Sequence, residues 1–467
     1  MPLPQTFTLL VLGQGSTGLD VASWALDHPE RVSSVTVYGG AAAEPAEAAR
    51  ALEARGVRFV LGTEEVEGSY DVCVASPGIS EFSDFFASAR ARSGQIMGEP
   101  EFAWRLSDAP WCAVTGTNGK TTTTSLIDFI LRRAGVPSVA VGNIGTPTIR
   151  AVDGADPSTW MVAELSSYQI ATTSELHPRV AVLLNITPDH LAWHRTHENY
   201  AAAKLRLLRN MDESDLVIVD MDDEGVRSRA DRIFAPGRRV LTLTRADSGA
   251  ADAAFVRDGV LTVRLAGEET ALVPVGELGI AGEHNVANAL AAASAALFIG
   301  AGAEALRSAL RSFRPLEHRI EPAGTIDGVR YFNDSKATNT DAVEKALTAF
   351  PDDRVVVLLG GHDKGTPLED FADFVCARVR AVVCYGEARA RFRRAFEAAR
   401  DGRAVDIAEA DDLRDAVDVA RSLAGRGDVV LLSPACSSFD EFSGFEERGR
   451  AFKAYLDELR AAGAPRE

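Results

Sequence analysis

The chain has 467 residues, 46% of them hydrophobic and 25% charged, with a formal net charge of −18. That length holds roughly two to four domains, each able to bury a core. The acidic balance excludes a general nucleic-acid-binding surface, so any phosphate must be held locally, at turns and by a few Lys or Arg side chains. The cysteines (Cys73, Cys112, Cys376, Cys384 and Cys436) are odd in number, scattered and without a CxxC pair. This favours a reducing, cytoplasmic setting over a disulfide framework. The N-terminal apolar run ends at once in GQGSTG, unlike a signal segment, and the alanine-rich stretch Val286–Ala303 reads as a buried helix rather than a membrane span.

In chain order, apolar runs that read as strands alternate with helical stretches. The runs are Thr8–Leu12, Val35–Val37, Val72–Ala75, Met161–Ala163, Val180–Leu184, Leu216–Val219, Val355–Leu359, Ala381–Tyr385 and Val429–Leu432. This is α/β patterning with mostly parallel sheets. A short all-β patch is expected over Arg239–Val275. Composition breaks near Met97–Pro100 and Arg314–Pro315 divide the chain into 1–98, 99–314 and 315–467.

After the first run, Gly13-Gln14-Gly15-Ser16-Thr17-Gly18 fits G-x-G-x-x-G at a strand-to-helix turn, the context for a bound diphosphate. The acid that would hold a ribose 2′-OH is missing, because the second run ends in Tyr38-Gly39-Gly40. A nicotinamide dinucleotide is therefore disfavoured. A second turn, Ser76-Pro77-Gly78-Ile79, follows the next strand, and two such turns side by side suit a UDP-type diphosphate.

Val114 to Thr122 read VTGTNGKTT. A β-rich run (Trp111–Val114) enters a glycine turn that opens a helix over Thr121–Arg133. Such a turn cradles phosphates with backbone N–H groups, with Lys120 reaching the terminal phosphates and the Thr121 hydroxyl reaching Mg²⁺. The general pattern wants glycine where this chain has Val114. Further strand ends carry polar residues that packing does not require: Glu164, Asn185 with Asp189 and His190, and the turn Gly142-Asn143-Ile144-Gly145. Glu164 and Thr121 make a Mg²⁺ pair. His190, His194 and His197 have a spacing that could suggest zinc, but no HExxH is present. Lys204 sits in a helical run over Tyr200–Arg209, shortly after the His190 loop.

Taken together, these segments resemble the Mur ligases, the ATP-dependent amide-bond-forming enzymes of peptidoglycan synthesis. The shared segments are TGTNGKT, ELSSYQ, NITPDHL, the lysine in YAAAKLRL, GEHNVANALAA and His318-Arg319. Within the family the chain is most similar to the D-glutamate-adding branch, through ASPGI (Ala75–Ile79), FNDSKATN (Phe332–Asn339), LLGGHDKG (Leu358–Gly365) and LLSPACSSFDEF (Leu431–Phe442).

The resemblance implies three α/β domains: a Rossmann-like UDP-substrate domain (1–98), a central P-loop-like ATP domain (99–314) and a Rossmann-like C-terminal domain (315–467). It implies ATP as co-substrate, two Mg²⁺ sites, UDP-N-acetylmuramoyl-L-alanine and D-glutamate as partners, and a monomer. It assigns catalysis to Lys120, His190 and Lys204. ATP falls to Gly116, Thr117, Asn118, Gly119, Lys120, Thr121, Thr122, Asn288, Arg319 and Asp334. The UDP substrate falls to Gly15, Ser16, Thr17, Gly18, Tyr38, Ser76, Gly78, Asn143 and His190; the Tyr38 ring, which departs from the family pattern, is read from its chemistry as a surface for the base to stack on. D-glutamate falls to Lys336, Thr338, Lys364, Ser438, Phe439 and Phe445. Metal falls to Thr121, Glu164, His190 and a carbamylated Lys204. The sequence departs from the family at Tyr38-Gly39-Gly40, where the loop is often acidic or polar, and at Phe439, where leucine is common. Alternatives are a ligase for another step or of folylpolyglutamate type, a dehydrogenase, and a non-catalytic nucleotide-binding protein.

Overall fold

A computed structural model describes residues 2–44, 47–144, 146–280, 282–314, 317–363 and 365–463, with the side chains of 191, 192, 341, 462 and 463 excepted. It forms three sheets within two compact units, one of residues 1–278 and 285–313, the other of 279–284 and 314–467.

The first sheet is parallel throughout, in the order Arg58–Leu61, Val32–Gly40, Phe7–Leu12, Tyr70–Ala75, Ser93–Gly98. Phe7–Leu12 is nearly all buried, as a central parallel strand covered on both faces must be. Strand order reverses beside it, so the strand ends at Gly13 and Ser76 open a crevice where ligands of such sheets bind.

The second sheet has nine strands. In spatial order they are Glu268–Pro274, Val260–Leu265, Ala253–Arg257, Val240–Leu243, Leu216–Asp220, Val180–Leu183, Trp111–Thr115, Trp160–Glu164 and Ser138–Gly142. The strands from Ala253–Arg257 to Ser138–Gly142 run parallel, and the last hairpins are antiparallel. The β patch foreseen over 239–275 is thus an extension of this sheet. Trp111–Thr115 is fully buried between Trp160–Glu164 and Val180–Leu183, and the three strands end together.

The sheet of the other unit runs Glu321–Ile326, Val329–Asn333, Val429–Ala435, Val355–Gly360, Ala381–Tyr385, Asp406–Glu409, antiparallel only at its first pair.

Helix limits differ in detail from the sequence reading. The Lys204 helix spans His197–Leu205 and tightens to a 3₁₀ turn over Arg206–Leu208, and the alanine-rich helix spans Glu283–Ile299. Among the described residues no helix is long and apolar enough to cross a membrane. All five cysteines are buried, and among the described residues none forms a disulfide. The break foreseen near Met97–Pro100 is a strand passing directly into the helix Glu99–Arg105, inside one compact unit.

Candidate active site

The phosphate turn joins strand Trp111–Thr115 to helix Lys120–Arg133. Gly119 is left-handed (φ 82°), and a Cβ there would lie 2.4 Å from Asn288 Oδ1. Any other residue would be strained and would collide. Val114 still belongs to the strand. The close approach is made at Gly116, where a Cβ would lie 3.0 Å from Leu184 Cβ, which explains how the turn forms without glycine at 114.

Asn185 fixes the turn's shape. Its Oδ1 accepts from Asn118 N at 2.7 Å, its Nδ2 donates to Asn118 O at 3.1 Å, and its carbonyl accepts from Thr117 N at 3.0 Å. Thr117 Oγ1 lies 2.8 Å from Tyr200 Oη and accepts from Thr187 N at 3.0 Å, while Thr123 Oγ1 donates to Asn288 Oδ1 at 3.2 Å. The sequence reading picks out Asn185 as a polar strand-end residue without giving it a role, and names Tyr200 only as the start of the Lys204 run. Asn185 stands two residues past the buried strand Val180–Leu183, and nothing local to Tyr200 marks its contact with Thr117.

Two lysines converge on one carbonyl. Lys120 Nζ donates to Gly116 O at 2.9 Å and to Thr117 O at 2.8 Å, and Lys204 Nζ donates to Gly116 O at 2.7 Å. Lys204 is 1% exposed, and its ammonium lies 4.7 Å from the Tyr200 ring centroid. Burial, then the charge of Lys120, pushes the Lys204 amine well below the usual lysine range.

Glu164, at the end of the neighbouring strand, is buried. Its Oε1 accepts from Asn143 Nδ2 at 2.9 Å, its carbonyl accepts from Asn143 N at 2.9 Å, and its buried Oε2 has no hydrogen-bond partner among the described residues. A buried carboxylate oxygen left unsatisfied is costly, and a cation removes that cost. Thr121 stands at the start of the helix that the phosphate turn opens.

His190, at φ 55°, stacks obliquely on Tyr168 at 4.8 Å and keeps a half-exposed side chain. His194 is buried, its Nε2 lies 2.9 Å from Ser167 Oγ, and burial pushes it down to about 4, so it stays neutral. His190, His194 and His197 each pack on Tyr200, and among the described residues they form no three-ligand cluster. The zinc reading gains no support.

In the first sheet, Gly15, Ser16, Thr17, Ser76 and Gly78 line a cavity of about 660 Å³ at the strand ends. Gly18 lies beneath it. A Cβ there would fall 2.0 Å from Gly13 O, so the glycine lets the helix Ser16–Asp27 close onto its own turn. The expectation for Tyr38 is corrected. It is 2% exposed, packs among Leu10, Val66 and Phe86, and its hydroxyl accepts from Glu67 N at 3.0 Å, so it has no face for a base. Its strand position turns it inward, and the cavity wall on that side is Gly39–Glu44.

In the other unit, Asp334 follows strand Val329–Asn333. Its Oδ1 accepts from Ile320 N at 3.2 Å and its Oδ2 from Ser433 Oγ at 2.7 Å, and burial pushes its carboxyl up to about 7 against those bonds and the charge of Arg319. Lys336 Nζ sits 3.9 Å from the Phe445 ring centroid. Ser438 is buried and Phe439 is 70% exposed. Thr338 lies two residues beyond Lys336, its N–H bonded to that residue's carbonyl at 2.9 Å. Lys364 lies outside the described residues.

Arg448 was not foreseen. Fully buried, it donates to Ser335 O and Oγ, Cys436 O and Ser437 O, tying the Lys336 loop to the Ser438 loop. It lies ten residues beyond Ser438, too far for any local pattern to reveal.

A phosphate turn, a carboxylate and a buried lysine at the ends of parallel strands define a nucleotide-dependent α/β enzyme, and comparison supplies its family. Residues 114–296 match the Mur ligase middle domain, and residues 318–436 match the Mur ligase glutamate ligase domain. The chain belongs to the Mur ligase family.

Relatives named UDP-N-acetylmuramoylalanine--D-glutamate ligase include that of Geobacter metallireducens, 38% identical over 98% of this chain and 98% of its own. Another, from Salinibacter ruber, is 41% identical over 88% of this chain and 90% of its own. Among solved structures, MurC of Thermotoga maritima aligns with TM-score 0.56 and 18% identity over 98% of this chain and all of its own. MurF of the same organism in complex with ADP aligns with 0.57 and 17% over 86% and 98%. These two likenesses show the fold.

Proposed function

We propose that the chain joins D-glutamate to UDP-N-acetylmuramoyl-L-alanine at the expense of ATP, through an acyl phosphate, in peptidoglycan precursor synthesis. The reaction type rests on one observation: Lys120, Glu164 with its unpartnered oxygen, and buried Lys204 meet at the ends of adjoining strands. The acceptor and amino acid rest on the named relatives.

Phosphoryl transfer needs positioning and charge neutralisation. Lys120 would exchange the Gly116 and Thr117 carbonyls for phosphate oxygens. The acceptor carboxylate attacks the γ-phosphorus and ADP leaves. The D-glutamate amine then attacks the acyl carbon, phosphate leaves and an amide forms. Phosphorylation makes a poor carboxylate electrophile into a good one.

Glu164 and Thr121 would hold one Mg²⁺, and His190 with a carbamylated Lys204 a second; bound Mg²⁺ supplies positive charge to the transferring phosphoryl group. A lysine amine pushed below its usual range gives up its proton more readily, and the neutral amine can attack CO₂, lose a second proton and present carbamate oxygens where a carboxylate would otherwise be required.

We assign residues 1–98 to the UDP substrate, 99–314, including Asn288, to ATP, and 315–467 to further ATP contacts through Arg319 and Asp334 and to D-glutamate through Lys336, Thr338, Lys364, Ser438, Phe439 and Phe445. We also propose a cytoplasmic monomer.

The test is phosphate release from ATP with UDP-N-acetylmuramoyl-L-alanine and, separately, D-glutamate, L-glutamate, L-alanine or meso-diaminopimelate. D-glutamate alone should sustain turnover. Equal rates with L-glutamate would refute the assignment.

A further inference from the structure

Three successive residues that follow the cavity turn Ser76–Ile79 each grip the segment that carries His190 and Lys204. Ser80 Oγ donates to Trp193 O at 3.1 Å. Glu81 takes Arg206 in a fork, Nη1 to Oε2 at 2.9 Å and Nη2 to Oε1 at 3.0 Å. Phe82 O accepts from Arg195 Nη2 at 2.7 Å, with that guanidinium 5.0 Å from the Phe82 ring centroid. The grip is built on stiff parts. Ser80 O accepts from Ser83 Oγ at 2.8 Å, and Ser83 caps the helix Asp84–Ala91. On the other side, Arg206 stands two residues after Lys204 and also donates to Ala171 O. Glu81 is only 13% exposed and Arg206 28%, so the pair is partly shielded from water. A bidentate pair of this kind fixes orientation as well as distance.

We propose that Glu81 and Arg206 are positioning residues: they set the distance between the cavity turn Ser76–Ile79 and the Lys120–Lys204 centre, and so select acceptors by the length between diphosphate and carboxylate. The inference rests on the function proposed above. An acceptor tethered at the Ser76–Gly78 turn reaches the phosphate turn only if that distance is held, because small misplacements of reacting atoms are costly. Packing alone would hold the two parts together, yet it would not fix the register of one turn against one helix.

The test uses the full chain with UDP, UDP-N-acetylmuramoyl-L-alanine and UDP-N-acetylmuramate, which lacks the alanyl extension. Glu81→Ala should leave the Kd for UDP and the KM for ATP within about twofold of the unaltered chain. It should raise the KM for the full acceptor by about three- to tenfold, as loss of a substrate-aligning contact does. The preference for the full over the shortened acceptor should fall by a similar factor. Glu81→Gln, which keeps the shape and one acceptor oxygen, should lie between. Arg206→Ala combined with Glu81→Ala should be no worse in acceptor KM than the worse single variant, since either change breaks the same pair.

A lowered thermal midpoint with unchanged acceptor KM and unchanged preference would overturn the inference, as would equal weakening of UDP itself. An unaltered chain with no D-glutamate-dependent turnover would instead overturn the proposed function.

Discussion

Glu99 → Gln should stabilise the protein above neutral pH and do little below pH 5. Glu99 is 3% exposed, at the start of the helix Glu99–Arg105. Its Oε2 accepts from Thr148 Oγ1 at 2.8 Å and its Oε1 from Ile149 N at 2.7 Å, while the nearby Asp20 charge disfavours ionisation. Burial outweighs the two hydrogen bonds and pushes the carboxyl up from 4.5 to about 7. Between those values the folded chain keeps a proton that the unfolded chain releases. Stability therefore falls as pH rises from about 4.5 to about 7 and is level above that window, a loss of about 3 kcal/mol if Glu99 alone is considered. Glutamine has the same shape, can accept from Ile149 N with its carbonyl and can donate to Thr148 with its amide, yet does not titrate. The stability difference between Glu99→Gln and the unaltered chain should shift in favour of glutamine by about 1–3 kcal/mol from pH 5 to pH 8. Urea midpoints of both proteins at the two pH values measure it. A difference that does not change with pH would refute the reasoning, because the whole effect comes from the cost of ionising Glu99, set by burial and by the Asp20 charge.

Gly18→Ala should raise the Kd for UDP at least about tenfold while leaving ATP binding intact, since its Cβ would meet the Gly13 carbonyl 2.0 Å away and the turn would have to move. Calorimetric titration with UDP checks this, and unchanged affinity would remove the diphosphate from that cavity. Lys204→Ala should lower kcat by about a hundredfold with the chain still folded, as the metal-holding role proposed for it requires; near-normal turnover would leave Lys204 a structural residue of the phosphate turn. Lys120→Ala should abolish formation of the acyl phosphate in the absence of D-glutamate, read by trapping the intermediate.

Much of the fold was legible because parallel strands buried on both faces must be written as unbroken apolar runs. Leu9–Leu12, Val180–Leu183 and Val429–Leu432 could hardly be anything else. The phosphate turn was legible for a similar reason. Gly119, Lys120 and Thr121 have no packing role that would place them together, and the left-handed φ at Gly119 is the constraint the glycine answers.

Side-chain direction and long-range partners were not legible. Tyr38 follows the apolar run of a strand and could have faced the cavity or the core. The hydroxyl's bond to Glu67 N and the packing of Val66 and Phe86 decided for the core. Asn185, Arg448 and the Glu81–Arg206 pair act on residues 67 or more, 113 and 125 positions away, respectively. No local periodicity carries such contacts. The sequence by itself determined which turns could hold phosphate and which chemical groups were present. Tertiary structure decided which carboxylate oxygen is left without a hydrogen-bond partner among the described residues and which lysine amine is pushed below its usual range, because both depend on how far water is excluded by segments distant in the chain.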